Sequence, residues 1–182
     1  MNVDQRWRRA EGATRPAAFA RPVVLVVLAT SCMVAAGGCS RKSKPSRRPA
    51  PDFALQALDG STVRLSDLRG KCILLSFWGT RCPPCYQEAP HLSSLGQKYG
   101  DRDLVVLAVN VQDDTKEEVA RFVENGRLTH TILLEGTQAA IAYGVYGLPA
   151  TYWIDRDGMI IDNVVGFPGE RVMEEKTAEL IK

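Results

Sequence analysis

The feature that most constrains the fold is a pair of cysteines between a buried strand and a helix. Residues 72–78, CILLSFW, form a continuous apolar run of strand length, as expected for a strand covered on both faces of a sheet. Three linking residues follow, and then residues 82–85, CPPC, open a helix predicted for residues 83–99. The cysteines are therefore expected at one edge of an α/β core, where a helix begins.

The remaining periodicity predicts strands that alternate with helices and then a closing hairpin. Residues 53–65 are predicted to form a β-hairpin that turns at Asp59-Gly60. Further strands are predicted at 104–111, 131–134, 150–154 and 159–165, and further helices at 115–125, 137–143 and 170–181. This order indicates an α/β fold, a three-layer α/β/α sandwich with a mixed central sheet.

The position of Cys82 favours thiol chemistry. With Cys82 at the N-cap, Pro83 is the first helical residue, where its missing N–H costs nothing. The backbone N–H of Cys85 is predicted to donate to the Cys82 sulfur, and the helix dipole favours the thiolate. Together these lower the pKa of Cys82 from about 8.5 toward about 3.5–7.5. Cys85, one turn in, is placed to resolve a mixed disulfide, and the two prolines, which remove donors to the thiolate, favour a reductant.

Other roles for the cysteine pair leave sequence signatures that can be checked. A structural disulfide is compatible with the spacing. A zinc site requires a second CxxC or a paired-histidine arm, whereas His91 and His130 are the only histidines. Haem attachment requires histidine directly after Cys85, where Tyr86 stands.

The segment from Phe77 to Cys85, FWGTRCPPC, with Glu88, Pro90 and Leu92 after it, resembles thioredoxin-like proteins of the TlpA/ResA/CcmG type in the AhpC/TSA-redoxin superfamily. The resemblance spans residues 51–180. It implies a thioredoxin fold with an N-terminal hairpin, a helix–strand insertion near residues 113–136, and a redox-active Cys82–Cys85 disulfide. Members are typically membrane-anchored reductants outside the bacterial cytoplasm, and many serve cytochrome c maturation. No nucleotide, flavin or metal is implied.

Residues 146–151, YGLPAT, resemble the family loop that places a cis-proline against the active-site disulfide. The resemblance implies a cis peptide bond before Pro149. Proline lacks an N–H that would compete for the sulfur, and the backbone of Leu148 can then pair with a substrate chain. The alternative is a trans proline on an edge strand.

Glu88 lies three residues after Cys85, on the same side of the helix. The resemblance implies a glutamate that accepts the proton of the buried thiol; the alternative is a solvated helix carboxylate. Two positions depart from related proteins. Ser76 stands where thioredoxin has a buried aspartate, which gives Glu88 more weight. Arg81 stands where tryptophan is common, and its cation is expected to stabilise the Cys82 thiolate.

Three further residue types have simpler interpretations. Trp78 is interpreted as partly core and partly a substrate-positioning residue at the rim beside Cys82. Cys72 is interpreted as a small core residue, since it opens a buried strand. His91 and His130 are interpreted as ordinary helix and loop residues.

The N-terminus has the pattern of a targeting segment. An arginine-rich start leads to an apolar stretch over residues 22–36, and small residues then precede Cys39. Residues 1–38 are predicted to be a lipoprotein-type signal peptide with Cys39 as the lipidated residue. Lipidation at Cys32, an uncleaved anchor and a cleaved, unlipidated signal are the alternatives. Every one of them places the folded domain outside the cytoplasm.

The charge distribution separates a basic tail from an acidic domain. Ten of the 23 Lys and Arg lie in residues 1–51, whereas 19 of the 21 Asp and Glu follow. Residues 39–51 are predicted to be a basic flexible tether, and residues 52–182 a thioredoxin-like domain. Nucleic-acid binding is disfavoured because the excess of basic residues lies in the tail, where no folded face can present it, and the predicted domain is acidic.

The predicted function is an extracytoplasmic, membrane-anchored thiol–disulfide oxidoreductase that reduces client disulfides. Its expected partners are disulfide-bearing clients, a membrane electron donor and, through Cys39, the lipid bilayer. Apocytochrome c, a copper-site protein and a general thiol client are all compatible. A peroxiredoxin-like peroxidase requires Pro-x-x-x-Thr-x-x-Cys, but Leu75 and Gly79 occupy those positions before Cys82. A non-catalytic binding module would not need the cysteine pair, and a metallochaperone of related fold would favour a three-residue spacing.

Overall fold

A computed structural model describes residues 47–182 of the protein. The predicted signal peptide, Cys32 and Cys39 lie outside the described residues. The described elements, in chain order, are β1 (Arg48–Pro49), β2 (Ala54–Gln56), β3 (Thr62–Arg64), β4 (Cys72–Trp78), α1 (Pro83–Tyr99), β5 (Leu104–Asn110), α2 (Lys116–Gly126), β6 (Thr131–Leu133), α3 (Thr137–Tyr143), β7 (Ala150–Ile154), β8 (Met159–Val165) and α4 (Glu170–Leu180). None of the helices in this part of the chain is long and apolar enough to cross a bilayer.

The main sheet has six strands in the order β1-β8-β7-β4-β5-β6, so β4, the continuous apolar run, lies in the interior of the sheet. β4 runs parallel to β5 and antiparallel to β7, and β5 runs parallel to β6. β2 and β3 form a separate antiparallel hairpin, as predicted. The mixed sheet and the N-terminal hairpin are thus confirmed.

The seven residues of β4 are all buried because both faces of the sheet are covered. Side chains alternate along a strand. Cys72, Leu74 and Trp78 join a core cluster with α1, α2 and α4. Ile73, Leu75 and Phe77 join a second cluster with α3 and the β2–β3 hairpin. This two-sided burial explains why the strand is a continuous apolar run and confirms the three-layer arrangement.

The sheet includes residues on the N-terminal side of the predicted boundary at residue 52. Arg48–Pro49, assigned from sequence to the tether, pairs with Ile160 and Met159 of β8 at the edge of the sheet. The N–H of Ala50 also donates to the Gly158 carbonyl oxygen at 3.0 Å. Backbone pairing requires no apolar side chains, and an edge strand tolerates proline, so hydrophobic periodicity could not reveal this strand.

The predicted insertion is present as α2 and β6. Thr115 caps α2: its hydroxyl accepts the Glu118 N–H at 3.2 Å, and the Glu118 carboxylate accepts the Thr115 N–H at 2.7 Å. This capping box satisfies two backbone donors that the first turn leaves unpaired. It also fixes where α2 starts, directly after the segment that follows β5.

Candidate active site at the start of helix α1

Cys82 and Cys85 form a disulfide at the junction between β4 and α1. Cys82 is the N-cap of α1, and Pro83 is its first residue, as predicted. Cys82 is 6% exposed and Cys85 is 2% exposed, so the first cysteine is the more accessible of a largely buried pair. Because Cys82 is the N-cap, it lies at the positive end of the α1 dipole.

One predicted hydrogen bond differs in the structure. The Cys85 N–H donates to the carbonyl oxygen of Cys82 at 2.9 Å, and the Cys82 side chain caps no backbone donor. In this disulfide form the Cys82 sulfur is bonded to the Cys85 sulfur, and the tight first turn directs the N–H to the backbone oxygen. The predicted donation to sulfur is thus wrong for the oxidised pair.

Glu88 is buried beneath the disulfide rather than solvated. It is 1% exposed, and its two carboxylate oxygens accept hydrogen bonds from Ser76 Oγ at 2.6 Å and Thr151 Oγ1 at 2.5 Å. Burial raises the pKa of Glu88, and the two hydrogen bonds only partly offset this effect. The alternative of an exposed helix carboxylate is therefore wrong.

The two partners of Glu88 lie on neighbouring strands. Ser76 of β4 is paired with Thr151 of β7, so their side chains point to the same face, where α1 crosses. Both are 0% exposed. The sequence analysis named Ser76 only because it stands where thioredoxin has a buried aspartate, and it did not identify Thr151. The available signal was a hydroxyl residue inside each of two otherwise apolar strands.

A small cavity of about 10 Å³ borders both Cys85 and Glu88. This is close to the smallest space that admits one water molecule. His130 lines the same cavity, and its Nδ1 lies 2.9 Å from Ser93 Oγ. Burial lowers the pKa of His130 to about 4, so its ring is neutral near pH 7. Cys85 and Glu88 thus border the same small cavity.

The Leu148–Pro149 peptide bond is cis, as the family resemblance implied. Ala150 of β7 pairs with Phe77 of β4, so Pro149 lies at the end of the sheet where β4 leads into the cysteines. Pro149 is buried, and Leu148 is partly buried against both core clusters. The structure therefore brings these residues to the cysteine end of the sheet.

Trp78 lies in the core more than at the rim. It is 4% exposed, and its ring centroid is 4.5 Å from that of Phe122 on α2. Within residues 47–182 its Nε1 has no hydrogen-bond partner. An influence of Trp78 on substrate is therefore indirect, through the packing beneath the cysteines. Cys72 is 0% exposed, which confirms its interpretation as a core residue.

Arg81, immediately before Cys82, is not a free cation. Its Nη1 lies 3.1 Å from Oδ1 of Asp114, whose side chain has no exposed surface. Sequence reasoning placed Arg81 near the thiolate but missed Asp114, which lies in the Asp113-Asp114-Thr115 segment between β5 and α2. Only the paired strands β4 and β5 bring these residues together.

His91 lies away from Glu88 and the cysteines, whereas His130 lines the small cavity beside them. The His91 ring stacks on Phe167 with centroids 5.3 Å apart. Its Nδ1 is 3.9 Å from Glu170 Oε2. This contact joins α1 to the start of α4 and is consistent with a structural role.

Comparison with known proteins shows which family this chain resembles. A model of the AhpC/TSA family matches residues 47–163, more than half of the chain. The chain belongs to the AhpC/TSA family. It is 37% identical over 134 residues to the thiol-disulfide oxidoreductase ResA of Halalkalibacterium halodurans, covering 73% of this chain and 75% of that protein.

Two solved structures support the same assignment. A thiol:disulfide interchange protein DsbE from Chlorobium tepidum superposes with a TM-score of 0.70 at 30% identity, covering 75% of this chain and 97% of that one. An exposed lipoprotein thioredoxin from Streptococcus pneumoniae gives a TM-score of 0.62 at 28% identity, covering 71% of this chain and 100% of that one. The fold is thioredoxin-like, and the protein is a thiol–disulfide oxidoreductase of the ResA/DsbE type that acts on disulfide-bearing clients.

Proposed function

We propose that this protein is a membrane-anchored reductant of client disulfides, with Cys82 as nucleophile and Cys85 as resolving thiol. The observation that carries the proposal is the position of Cys82 at the N-terminus of α1, with Cys85 and a buried Glu88 behind it. The relatives' names describe disulfide exchange, which favours this chemistry over a peroxidase.

The reaction transfers two electrons from the cysteine pair to the client. The Cys82 thiolate attacks one sulfur of the client disulfide, forms a mixed disulfide and releases the other sulfur as a thiolate. Cys85 gives its proton to Glu88 and attacks the Cys82 sulfur. The Cys82–Cys85 disulfide forms, and the second client thiolate leaves and takes up the proton held by Glu88, while the first client thiolate takes up a proton from solvent. A membrane electron donor then returns two electrons and two protons to the pair.

The resolving step explains the need for Glu88. Cys85 is 2% exposed, so bulk water cannot readily accept its proton. Glu88 borders the same cavity, and its raised pKa brings it closer to the pKa of a thiol, which makes proton transfer easier. Ser76 and Thr151 hold the carboxylate in one orientation.

Client binding is proposed to use the loop around the cis-proline and the exposed aromatic side chains near the cysteines. The backbone of Leu148 pairs with an extended client segment, with Pro149 beside the disulfide. Tyr146 is 87% exposed three residues before Pro149, and Tyr86 is 55% exposed on the first turn of α1. Exposed aromatics on both flanks offer apolar contacts to clients of varied sequence. Trp78 supports this surface from below.

A trapping experiment tests the exchange mechanism. In Cys85→Ser protein, the mixed disulfide on Cys82 cannot be resolved, so clients accumulate as adducts that thiol reductants release. Mass spectrometry should place the linkage at Cys82, and the matched Cys82→Ser, Cys85→Ser double variant should give none. Adducts of equal yield in the double variant, or no adducts at all, would contradict the mechanism.

Location is proposed from the N-terminal sequence. Lipidation of Cys39 would tether the domain to the outer face of a bacterial membrane, as the lipoprotein name of the Streptococcus pneumoniae thioredoxin suggests by analogy. Clients there include apocytochrome c, whose paired cysteines require reduction before haem attachment. Cys39→Ala should release the protein from the membrane fraction, whereas Cys32→Ala should not. Retention of Cys39→Ala in membranes would favour an uncleaved anchor.

A further inference from the structure

Residues 79–81 form the loop between β4 and Cys82. This loop and the end of β4 are hydrogen-bonded to residues 111–114, which follow β5. The Val111 N–H donates to the Trp78 carbonyl oxygen at 3.0 Å. Gln112 Oε1 accepts the backbone N–H of Arg81 at 2.9 Å. Trp78, Thr80 and Arg81 are thus each hydrogen-bonded to residues 111–114, the segment that follows β5.

Asp114 is the centre of these contacts. Its carboxylate accepts the backbone N–H of Thr80 at 2.9 Å, the Thr80 hydroxyl at 2.7 Å and the Asn110 side-chain amide at 2.7 Å. The Arg81 guanidinium, at 3.1 Å, is its only charged partner within residues 47–182. Burial alone would raise the pKa of Asp114, but these hydrogen bonds and the Arg81 charge hold it below its ordinary value. Asp114 is therefore an anion at neutral pH.

This anion lies beside the residue that directly precedes the nucleophile. Arg81 directly precedes Cys82, so an unpaired Arg81 would bring a positive charge near the Cys82 sulfur, and solvent would weaken its effect in part because the Arg81 side chain is 60% exposed. A nearby opposite charge stabilises a thiolate. Pairing with a fully buried carboxylate cancels much of that field. The sequence-based expectation that Arg81 stabilises the thiolate therefore omits its partner.

We propose that Asp114 is a positioning residue that fixes the loop before Cys82 and neutralises Arg81, so that the start of α1 rather than a neighbouring cation governs the Cys82 thiolate. The inference rests on Cys82 being the nucleophile, as proposed above. Its consequence is chemical: a less stabilised thiolate keeps the dithiol more reducing. A purely structural Asp114 would affect stability without this electrostatic effect.

A charge cycle on the reduced full-length chain separates the two roles. The pKa of Cys82 is read from the pH dependence of its alkylation, located by mass spectrometry. Asp114→Asn keeps the shape and an acceptor for Thr80 but leaves Arg81 unpaired, so the pKa should fall by about half to one unit, about three- to tenfold in ionisation. Arg81→Gln should raise it by a similar amount. The double variant should return close to the unmodified protein.

Asp113→Asn is the matched control. It removes the same negative charge from the neighbouring position, where the side chain is exposed. Solvent screening should make its effect much smaller. The other ionisable groups on the surrounding elements, among them Glu88 and Tyr86 on α1, Glu118 and Arg121 on α2, and Tyr146 before Pro149, are unchanged throughout the cycle. No fall in the Cys82 pKa in folded Asp114→Asn, or equal shifts in Asp113→Asn and Asp114→Asn, would overturn the inference.

A measurement on the unmodified protein covers the case in which Asp114→Asn fails to fold. A neutralised Arg81 predicts a Cys82 pKa that is nearly constant from about 0.02 to 0.5 M salt, whereas an unpaired cation predicts a rise of about half a unit as salt screens it. Such a rise would overturn the inference. If Cys82 were not the faster-alkylated member of the pair, the proposed function would fail instead, so the two failures are distinguishable.

Discussion

Cys72 and Cys82 lie near opposite ends of the same strand and are both buried, at 0% and 6% exposure. Cys72 opens β4, and Cys82 follows the other end of β4 across a three-residue loop. The Cys72 thiol faces the Leu180 carbonyl oxygen, with Sγ at 3.4 Å. Cys82 is the N-cap of α1, and its sulfur is bonded to the Cys85 sulfur.

Because the two cysteines are similarly buried, we expect backbone electrostatics rather than exposure to determine the difference in their reactivity. A thiol that donates to a carbonyl loses that hydrogen bond when it ionises, and burial raises the pKa of Cys72 further. At the start of α1 the positive end of the helix dipole favours the anion instead. Two cysteines of similar burial are therefore expected to be inert at one end of β4 and reactive at the other.

Exchanging each sulfur for oxygen should give the largest contrast between these regions. Cys82→Ser should lower the rate of insulin-disulfide reduction by at least about a thousandfold, because the nucleophile is lost. Cys72→Ser, with the same atomic change, should leave the rate within about twofold since its sulfur takes no part in exchange. A substantial loss of activity in folded Cys72→Ser would break the comparison.

Changing Glu88 should give a smaller effect that depends on pH. In Glu88→Gln the resolving step should slow by about ten- to a hundredfold near neutral pH, because Cys85 loses its proton acceptor. The wild-type rate of this step should rise with pH through the raised pKa of Glu88, and the variant should lack that rise. Stopped-flow measurement of the resolving step tests this, with exposed Glu117→Gln on α2 as the control. Identical pH profiles for Glu88→Gln and wild type would remove Glu88 from the mechanism.

The same substitution should have the opposite effect on stability. Because folding raises the pKa of Glu88 above its ordinary value of 4.5, the folded state prefers the protonated form. The stabilisation from protonated Glu88 is fully present below that ordinary value and is lost as pH rises through the raised pKa. Glu88→Gln, which mimics the protonated form, should therefore become progressively more stable than wild type over this window in thermal unfolding.

The smallest expected effect is a change in packing at Cys72. Cys72→Ala removes one buried sulfur from the core cluster and should lower the free energy of unfolding by about 1 kcal/mol, a few degrees in Tm. Disulfide-reductase activity should not change. A large loss of stability would indicate that the Leu180 contact matters more to the docking of α4 than its burial suggests.

Local patterns predicted the elements that present the cysteines. The apolar run of β4 and the N-cap cysteine and following proline of α1 are local signals, and both elements match the prediction in their bounds. The cis bond before Pro149 came from the family resemblance. The role of Cys72 followed from its place in a buried strand.

Contacts between distant segments could not be predicted in the same way. Thr151 meets Glu88 from 63 positions away, and Asp114 meets Arg81 through the register of β4 and β5. Nothing in the local sequence specifies that register. The pairing of Arg48–Pro49 with β8 is similar, because it uses backbone atoms alone.

The most direct test of the account is the pKa of the Cys82 thiol in the reduced, unmodified chain. Alkylation rates measured across pH, with each modified cysteine identified by mass spectrometry, give this value alongside the labelling of Cys72. The account predicts that Cys82 titrates clearly below about 8.5, the pKa of an ordinary cysteine, while folded protein leaves Cys72 unlabelled. A Cys82 that stays protonated up to or above that value, or a Cys72 that reacts as fast, would contradict it.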